Sequence, residues 1–314
     1  MTVGTKVRRR RERRLLIACS GGPDSMALLD VADRWRAMTG GFVAVGHVDH
    51  GLRGVSSRTD ARFVQKECAQ RGIPCRVLRV PVRTWVHRSG KGLEDAAREL
   101  RYKALARLAR QFRCADVATA HTLDDQVETV FINLLRGTGP AGLSGMAEAS
   151  AWPFPSIGKG PCLIRPFLNV PKKEIYRYLR ARGLAFRVDA SNALPLFLRN
   201  QLRPVLRSWE RLRPGFFQRV AHTARILRDE EGFWRSRFPF RRKTPRVRLE
   251  RASFLRYHIA EQRRRLRHFY SLTRFDVLER VRLFVADRAR GPLDIPGGRV
   301  SKTDRFLTFR RFRK

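Results

Sequence analysis

Four short apolar runs, at residues 15–19, 42–48, 75–81 and 115–121, alternate with helix-patterned stretches at 24–37, 58–71, 93–112 and 123–136. The runs are rich in Val, Ile, Leu and Ala, as buried strands are. In the first helical stretch apolar residues recur at 26, 28, 29, 32 and 35, the spacing of one buried helix face. Strand–helix–strand repetition requires parallel strands joined by right-handed crossovers, with helices on both faces. The fold class expected is therefore α/β, a doubly wound, mainly parallel sheet. Ligands of such sheets bind beyond the carboxyl ends of the strands, so the residues just after each apolar run are the ones to read for chemistry.

After residue 136 the pattern changes. A Gly-rich loop, GTGPAGLSG, spans 137–145, and a helix marked by Pro171 follows over 170–182. Residues 196–209 can be helical only with a break near Pro204. Residues 216–233 and 252–267 read as basic amphipathic helices, and 294–309 as a terminal β-hairpin turned near Gly297 or Thr303. At about 150 residues per domain, 314 residues suggest two domains. The expected division is a basic arm over 1–14, an α/β domain over 15–210 and a smaller, basic, mainly helical domain over 211–314.

Charge narrows the partner. The chain holds 67 Lys plus Arg against 28 Asp plus Glu, a net +39. Residues 201–314 carry 32 cations and 11 anions, about twice the excess density of the first 200. Codon bias can favour Arg over Lys, but it does not remove carboxylates. No amphipathic membrane anchor stands out, so a nucleic acid is the expected polyanionic partner. No apolar run approaches the ~18 residues of a membrane span. The basic stretch 8–14 precedes only five apolar residues, unlike a signal peptide. Five cysteines without a C-x-x-C pair suggest neither a disulfide framework nor a zinc ribbon, and fit a reducing cytoplasm.

Three segments carry chemistry. Ser20, Gly21, Gly22, Pro23, Asp24 and Ser25 stand between the first strand and the first helix. The glycines allow close approach of an anion, Pro23 suits the first helical position, and exposed amides with the helix dipole favour a pyrophosphate. The loop is not a Walker A loop, since no Gly-Lys-Ser/Thr follows. The bland alternative is a capped strand-to-helix turn. Asp49, in HVDHGLR at 47–53 with Arg53, ends the second strand and can accept a proton or hold a cation; it can equally be a turn cap. Asp124, Asp125 and Glu128 follow the fourth strand, just after His121. Acids in a first turn suit the helix dipole alone, yet three within five residues of so basic a chain suggest a Mg²⁺ or ammonium site. Arg98 and Arg101 lie one turn apart, and Arg199, Asn200 and Arg203 form a similar group; each group can serve phosphates or simply solvate a helix face.

In order, SGGPDS at 20–25, HVDHGLR at 47–53, EDAARELRY at 94–102, ATAHTLDDQVETVFINLLRGTGPAGLSGM at 118–146, LIRPFLNVPKKEI at 163–175 and DASNALPLFLRN at 189–200 resemble the tRNA(Ile)-lysidine synthase family of the PP-loop ATP pyrophosphatases. The tail LDIPGG at 293–298 is also similar to that family's C-terminal domain, whereas Pro204 departs from its pattern, which usually has His there. The resemblance implies that ATP adenylates the C2 oxygen of the wobble cytidine in the CAU anticodon of tRNA(Ile). Free L-lysine then displaces AMP to give lysidine. It implies ATP binding by residues 20–25, Mg²⁺ as companion ion, and catalysis by Asp49, Asp124, Asp125 and Glu128. Arg53, Arg98, Arg101, His121, Arg136, Arg199, Asn200 and Arg203 become candidates for phosphate or tRNA contact. A tRNA thiolase of the same superfamily and a non-catalytic RNA-binding protein are the rival readings.

Overall fold

A computed structural model describes residues 14–52, 55–154, 160–188, 198–237, 246–270, 275–287 and 291–312. Arg53, the basic arm before Arg14 and the stretch 189–197 lie outside the described residues. In chain order the elements begin with β1 (Arg14–Ala18), α1 (Pro23–Thr39), β2 (Phe42–Asp49), α2 (Val55–Gln70), β3 (Cys75–Arg79), α3 (Val82–Ser89), α4 (Leu93–Gln111), β4 (Asp116–Ala118) and α5 (Leu123–Leu135). There follow α6 (Pro140–Leu143), β5 (Ala149–Ser150), β6 (Cys162–Ile164), α7 (Lys172–Ala181), α8 (Leu198–Leu212) and α9 (Phe216–Arg237). The last elements are β7 (Arg246–Glu250), α10 (Arg251–Arg256), α11 (Ile259–Tyr270), α12 (Phe275–Ala286), β8 (Leu293–Ile295), β9 (Gly298–Lys302) and β10 (Phe306–Arg311).

The first sheet has the order β3-β2-β1-β4-β6-β5. It is parallel except for the short edge pair β5–β6. Successive side chains of a strand face opposite sides, and the burial follows that rule. Ile17, Val43 and Val45 pack with α1, α2 and α7, while Leu16 and Ala44 pack with α4 through Leu105 and Leu108. Leu16 and Ile17 are fully buried, each worth about 1.5–3 kcal/mol against exposure. Gly46 lets α4 approach β2, because a Cβ there would stand 2.8 Å from the Leu108 side chain. The doubly wound sheet expected from the alternating pattern is what forms.

Two compact units divide the chain: residues 1–129 with 146–221, and 130–145 with 222–314. The division thus falls after 221 rather than at 210. Leu206 and Phe217 are buried in the first unit, and the Glu210 carboxylate accepts the amides of Gly215 and Phe217 at 3.0 and 2.9 Å. These contacts carry the chain past the boundary that composition suggests.

The second unit has its own core. Its sheet, β7-β10-β9-β8, is antiparallel, and Val300, Leu307 and Phe309 pack with Phe254, Leu266, Val281 and Val285 of α10, α11 and α12. The expected terminal hairpin is therefore a three-strand meander, turned at both predicted places, with β7 added against β10. Arg251 Nε donates to the Val285 carbonyl at 2.9 Å and Lys302 Nζ to that of Asp287 at 2.7 Å. Cations there complement the negative end of the α12 dipole.

α8 also differs from expectation, since it runs through Pro204 without a break. A proline at that place removes one helical hydrogen bond. Tertiary contacts on either side, Arg203 with Glu128 and the buried Leu206, hold the helix regardless.

Candidate active site

The crossover from the β1 side of the sheet to the β4 side is its switch point, where the chain reverses direction across the sheet. The segments following β1 and β4 meet there, although they are far apart in sequence. Asp49 ends β2, on the other side of β1.

The loop after β1 is built by its own hydroxyls. Gly21 has φ +87°, a left-handed conformation that suits glycine, and a Cβ would stand 3.3 Å from Val64. Ser25 Oγ donates to the Gly22 carbonyl at 2.9 Å and accepts the Ser20 amide at 3.2 Å. Ser20 Oγ accepts the Gly22 amide at 3.4 Å. Gly22 caps α1 in extended conformation, and Pro23 opens the helix. The loop is braced from outside: the Arg187 amide donates to the Gly21 carbonyl at 2.9 Å, and its guanidinium lies 3.3 Å from the buried Asp60.

The segment after β4 supplies the carboxylates. Asp125 and Thr122 cap each other: Oδ2 accepts the Thr122 amide at 2.9 Å and its hydroxyl at 3.0 Å, and that hydroxyl accepts the Asp125 amide at 3.3 Å. Asp124 Oδ2 accepts the Lys172 amide at 2.9 Å, fastening the start of α7. Glu128, 5% exposed, accepts Arg203 Nε at 2.7 Å, with Arg199 Nε 3.9 Å away. Lys172 Nζ lies 3.1 Å from Asp24 Oδ2, so one ammonium stands between the loop and the carboxylate segment.

Asp124, Asp125, Glu128, Lys172, Arg203 and Phe217 line one cleft. Burial pushes the carboxyls of Asp24 and Asp124 above the ordinary aspartate range, and Lys172 offsets only part of this. Burial likewise raises Glu128 despite Arg203. Asp125 goes the other way. Burial opposes its ionisation, but the hydrogen bonds from the Thr122 amide and hydroxyl and the charge of Lys172 favour the carboxylate, and its pKa is lowered. The cleft thus combines one carboxylate whose pKa is lowered with neighbours that hold a proton more readily.

Beside it lies a cationic group. The Arg98 and Arg101 guanidiniums stand 5.2 and 5.4 Å from the Tyr102 ring centre. Burial lowers the pKa of Arg101 and of Arg165, and pushes the His121 imidazole down to about 3, with Arg101, Arg165 and Arg98 adding to the effect. His121 Nδ1 lies 2.8 Å from the Thr119 hydroxyl. Among the described residues no carboxylate forms an ion pair with Arg98, Arg101 or Arg165. A desolvated cationic group of this kind favours an anion.

Other candidates stand apart or are otherwise engaged. Asp49 Oδ1 accepts the Gly51 amide at 2.8 Å, with Arg79 3.9 Å from Oδ2; its geometry is that of a turn cap. Asn200 Oδ1 accepts from Arg203 at 3.3 Å. Arg136 is exposed in the second unit. Lys172, Arg165 and Arg187 were not singled out from the sequence. The Lys-Lys-Glu after Pro171 reads only as a helix start, and no local signal aims Lys172 at Asp24. Among the described residues, no three His, Cys, Asp or Glu side chains are gathered to hold a metal ion, and no helix is long and apolar enough to cross a membrane.

The chain is 40% identical over 220 residues to a tRNA(Ile)-lysidine synthase of Geobacter sulfurreducens, covering 69% of this chain and 45% of that protein. To those of a Bradyrhizobium species and Bacillus subtilis it is 44% and 35% identical, covering 61% and 71% of this chain and 51% and 46% of theirs. It therefore spans about half the length of these curated relatives. The fold is similar to that of the U34-tRNA thiolase NcsA from Methanococcus maripaludis, with a TM-score of 0.59 at 19% identity, covering 72% of this chain and 76% of that one. The PP-loop domain family matches residues 2–208. With the strand–loop–helix geometry of residues 20–25 and two-thirds of the sequence in agreement, the chain belongs to the PP-loop domain family.

Proposed function

We propose that this chain is a tRNA(Ile)-lysidine synthase, joining free L-lysine to C2 of the wobble cytidine in the CAU anticodon of tRNA(Ile) at the expense of ATP, in the cytoplasm where that tRNA works. The observation that carries the reading is the meeting of loop 20–25 with the carboxylate cleft of Asp124, Asp125 and Glu128, bridged by the Asp24–Lys172 pair.

ATP lies with its phosphates on the amides of the loop at the positive end of α1. The cytidine C2 oxygen attacks the α-phosphorus and pyrophosphate leaves, its charge held by the loop. The adenylated C2 then carries a good leaving group. The lysine ε-amine attacks C2, the C–O bond breaks, and AMP departs. With a free pKa of about 10.4, the amine reaches the enzyme as an ammonium and must lose a proton. Asp125, held ionised, binds the ammonium, while Asp124 or Glu128, whose carboxyls are raised by burial, takes the proton. Arg98, Arg101 and Arg165 face the developing phosphate charge or the RNA backbone.

Mg²⁺ fits this site as a companion of the triphosphate rather than in a protein cage. Glu128 is engaged by Arg203, but Asp24 Oδ1 is buried with no hydrogen-bond partner. Mg²⁺ shared with phosphates needs only one or two carboxylates, and Asp24 would provide one. When bound, the ion would screen the phosphates from that acid.

The test is incubation with the CAU tRNA(Ile), ATP and labelled lysine, followed by nucleoside analysis. Label in lysidine, with AMP and pyrophosphate released in equal amounts, is expected. A thiolated nucleoside, or RNA binding without ATP turnover, would overturn the reading.

A further inference from the structure

A Walker loop carries its own phosphate-binding lysine. This loop does not, and residues 15–30 contain no Lys or Arg. A triphosphate laid on it would meet amides and a helix end but no cation from the loop or the first two turns of α1. The structure brings one from α7. Lys172 opens that helix, its amide is fastened to Asp124 and its ammonium to Asp24. α7 is itself fixed against α1. Ile175 and Leu179 are buried in the same core as Met26 and Leu29, and the Tyr178 hydroxyl donates to Asp30 at 2.5 Å. The ammonium therefore stands on a rigid element beside the first residues after the loop. It has three donors, and the ion pair with Asp24 accounts for one. Its side chain is 29% exposed, so the rest can reach a ligand in the cleft.

We propose that Lys172 is the phosphate-binding lysine of this loop, contacting the pyrophosphate portion of the bound nucleotide while Asp24 keeps its ammonium aimed there. The proposal deepens the reading of residues 20–25 as a nucleotide site and rests on it. The rival role is a counter-ion that only neutralises the buried Asp24.

The two roles separate in a double-mutant cycle. Pyrophosphate and ATP are titrated calorimetrically into the full chain and into K172M, K172R, D24N and D24N/K172M. A phosphate contact predicts that K172M weakens both ligands at least tenfold, that K172R recovers part of the loss, and that a K172M loss, reduced but not abolished, persists in the D24N background. A counter-ion predicts that the K172M loss vanishes once Asp24 is uncharged, and that result overturns the proposal. So does a K172M variant that binds pyrophosphate like the parent. D24N/K172M removes the carboxylate that pairs with the Lys172 ammonium and carries the comparison with D24N even if K172M alone fails to fold. Failure of the unaltered chain to bind either ligand overturns the nucleotide site itself, and is distinct from a failure confined to Lys172.

Discussion

Replacing Arg203 with methionine isolates the pair that closes one side of the cleft. Glu128 is 5% exposed and accepts Arg203 Nε at 2.7 Å and a second guanidinium nitrogen at 3.4 Å. Removing one partner of a fully buried pair costs about 3–5 kcal/mol. Here the Arg203 side chain is 29% exposed and Arg199 remains 3.9 Å away, so water and a second cation soften the loss. The expected cost is about 2–3 kcal/mol, a fall in Tm of about 4–12 °C for a unit of this size.

The loss should depend on pH. Burial already raises the Glu128 carboxyl, and without Arg203 it rises further. Across the interval between the unfolded value, about 4.3, and the higher folded one, the native state binds more protons than the unfolded state. Stability therefore falls as pH rises through that interval. Urea unfolding of R203M should show a smaller deficit at pH 5 than at pH 8, and R203M/E128Q should regain most of the difference at pH 8. An equal deficit at both pH values, with no recovery from E128Q, would refute the account of Glu128 as a buried charge held by Arg203.

Asp24→Ala and Ser25→Ala should each abolish ATP turnover and leave tRNA binding nearly intact; normal AMP release by both would remove residues 20–25 from the nucleotide site. Asp125→Asn should cut lysine incorporation far more than it lowers Tm, since the amide oxygen can still accept from Thr122; parallel losses would mean that Asp125 is only a cap. Asp49→Asn should change incorporation less than Asp125→Asn, because Asp49 faces the turn amide of Gly51; the reverse order in labelled-lysine assays would contradict this placement. In filter binding, tRNA affinity should fall near-linearly with the logarithm of salt concentration. R248Q/R305Q, at guanidiniums 3.4 and 5.1 Å from the Phe306 ring centre, should reduce that slope by about 2 if both meet phosphates; an unchanged slope would place the contacts elsewhere.

The alternation of apolar runs and helical stretches was enough to specify the doubly wound sheet, because strand and helix periods are local properties of neighbouring residues. SGGPDS was legible as a strand-to-helix loop suited to an anion for the same reason: two glycines, a proline and hydroxyls shape most of the turn locally, with the Arg187 amide bracing it from outside. Short-range information ended there. Asp49 and Asp125 look alike in sequence, each an acid at or just after the carboxyl end of an apolar run. Only the strand order sets one at a turn beside β3 and the other in the cleft with Asp24's partner Lys172. Lys172 and Arg203 reach their carboxylates because α7 and α8 pack where they do, and nothing within either helix encodes that meeting. Pro204 shows the same limit from the other side. Its local preference is to break a helix, and the burial of Leu206 with the Arg203–Glu128 pair overrides it. Local spacing specifies elements and their punctuation. Which charges face one another is decided by packing between elements far apart in the chain, where desolvation makes each unpaired group costly and each pair selective.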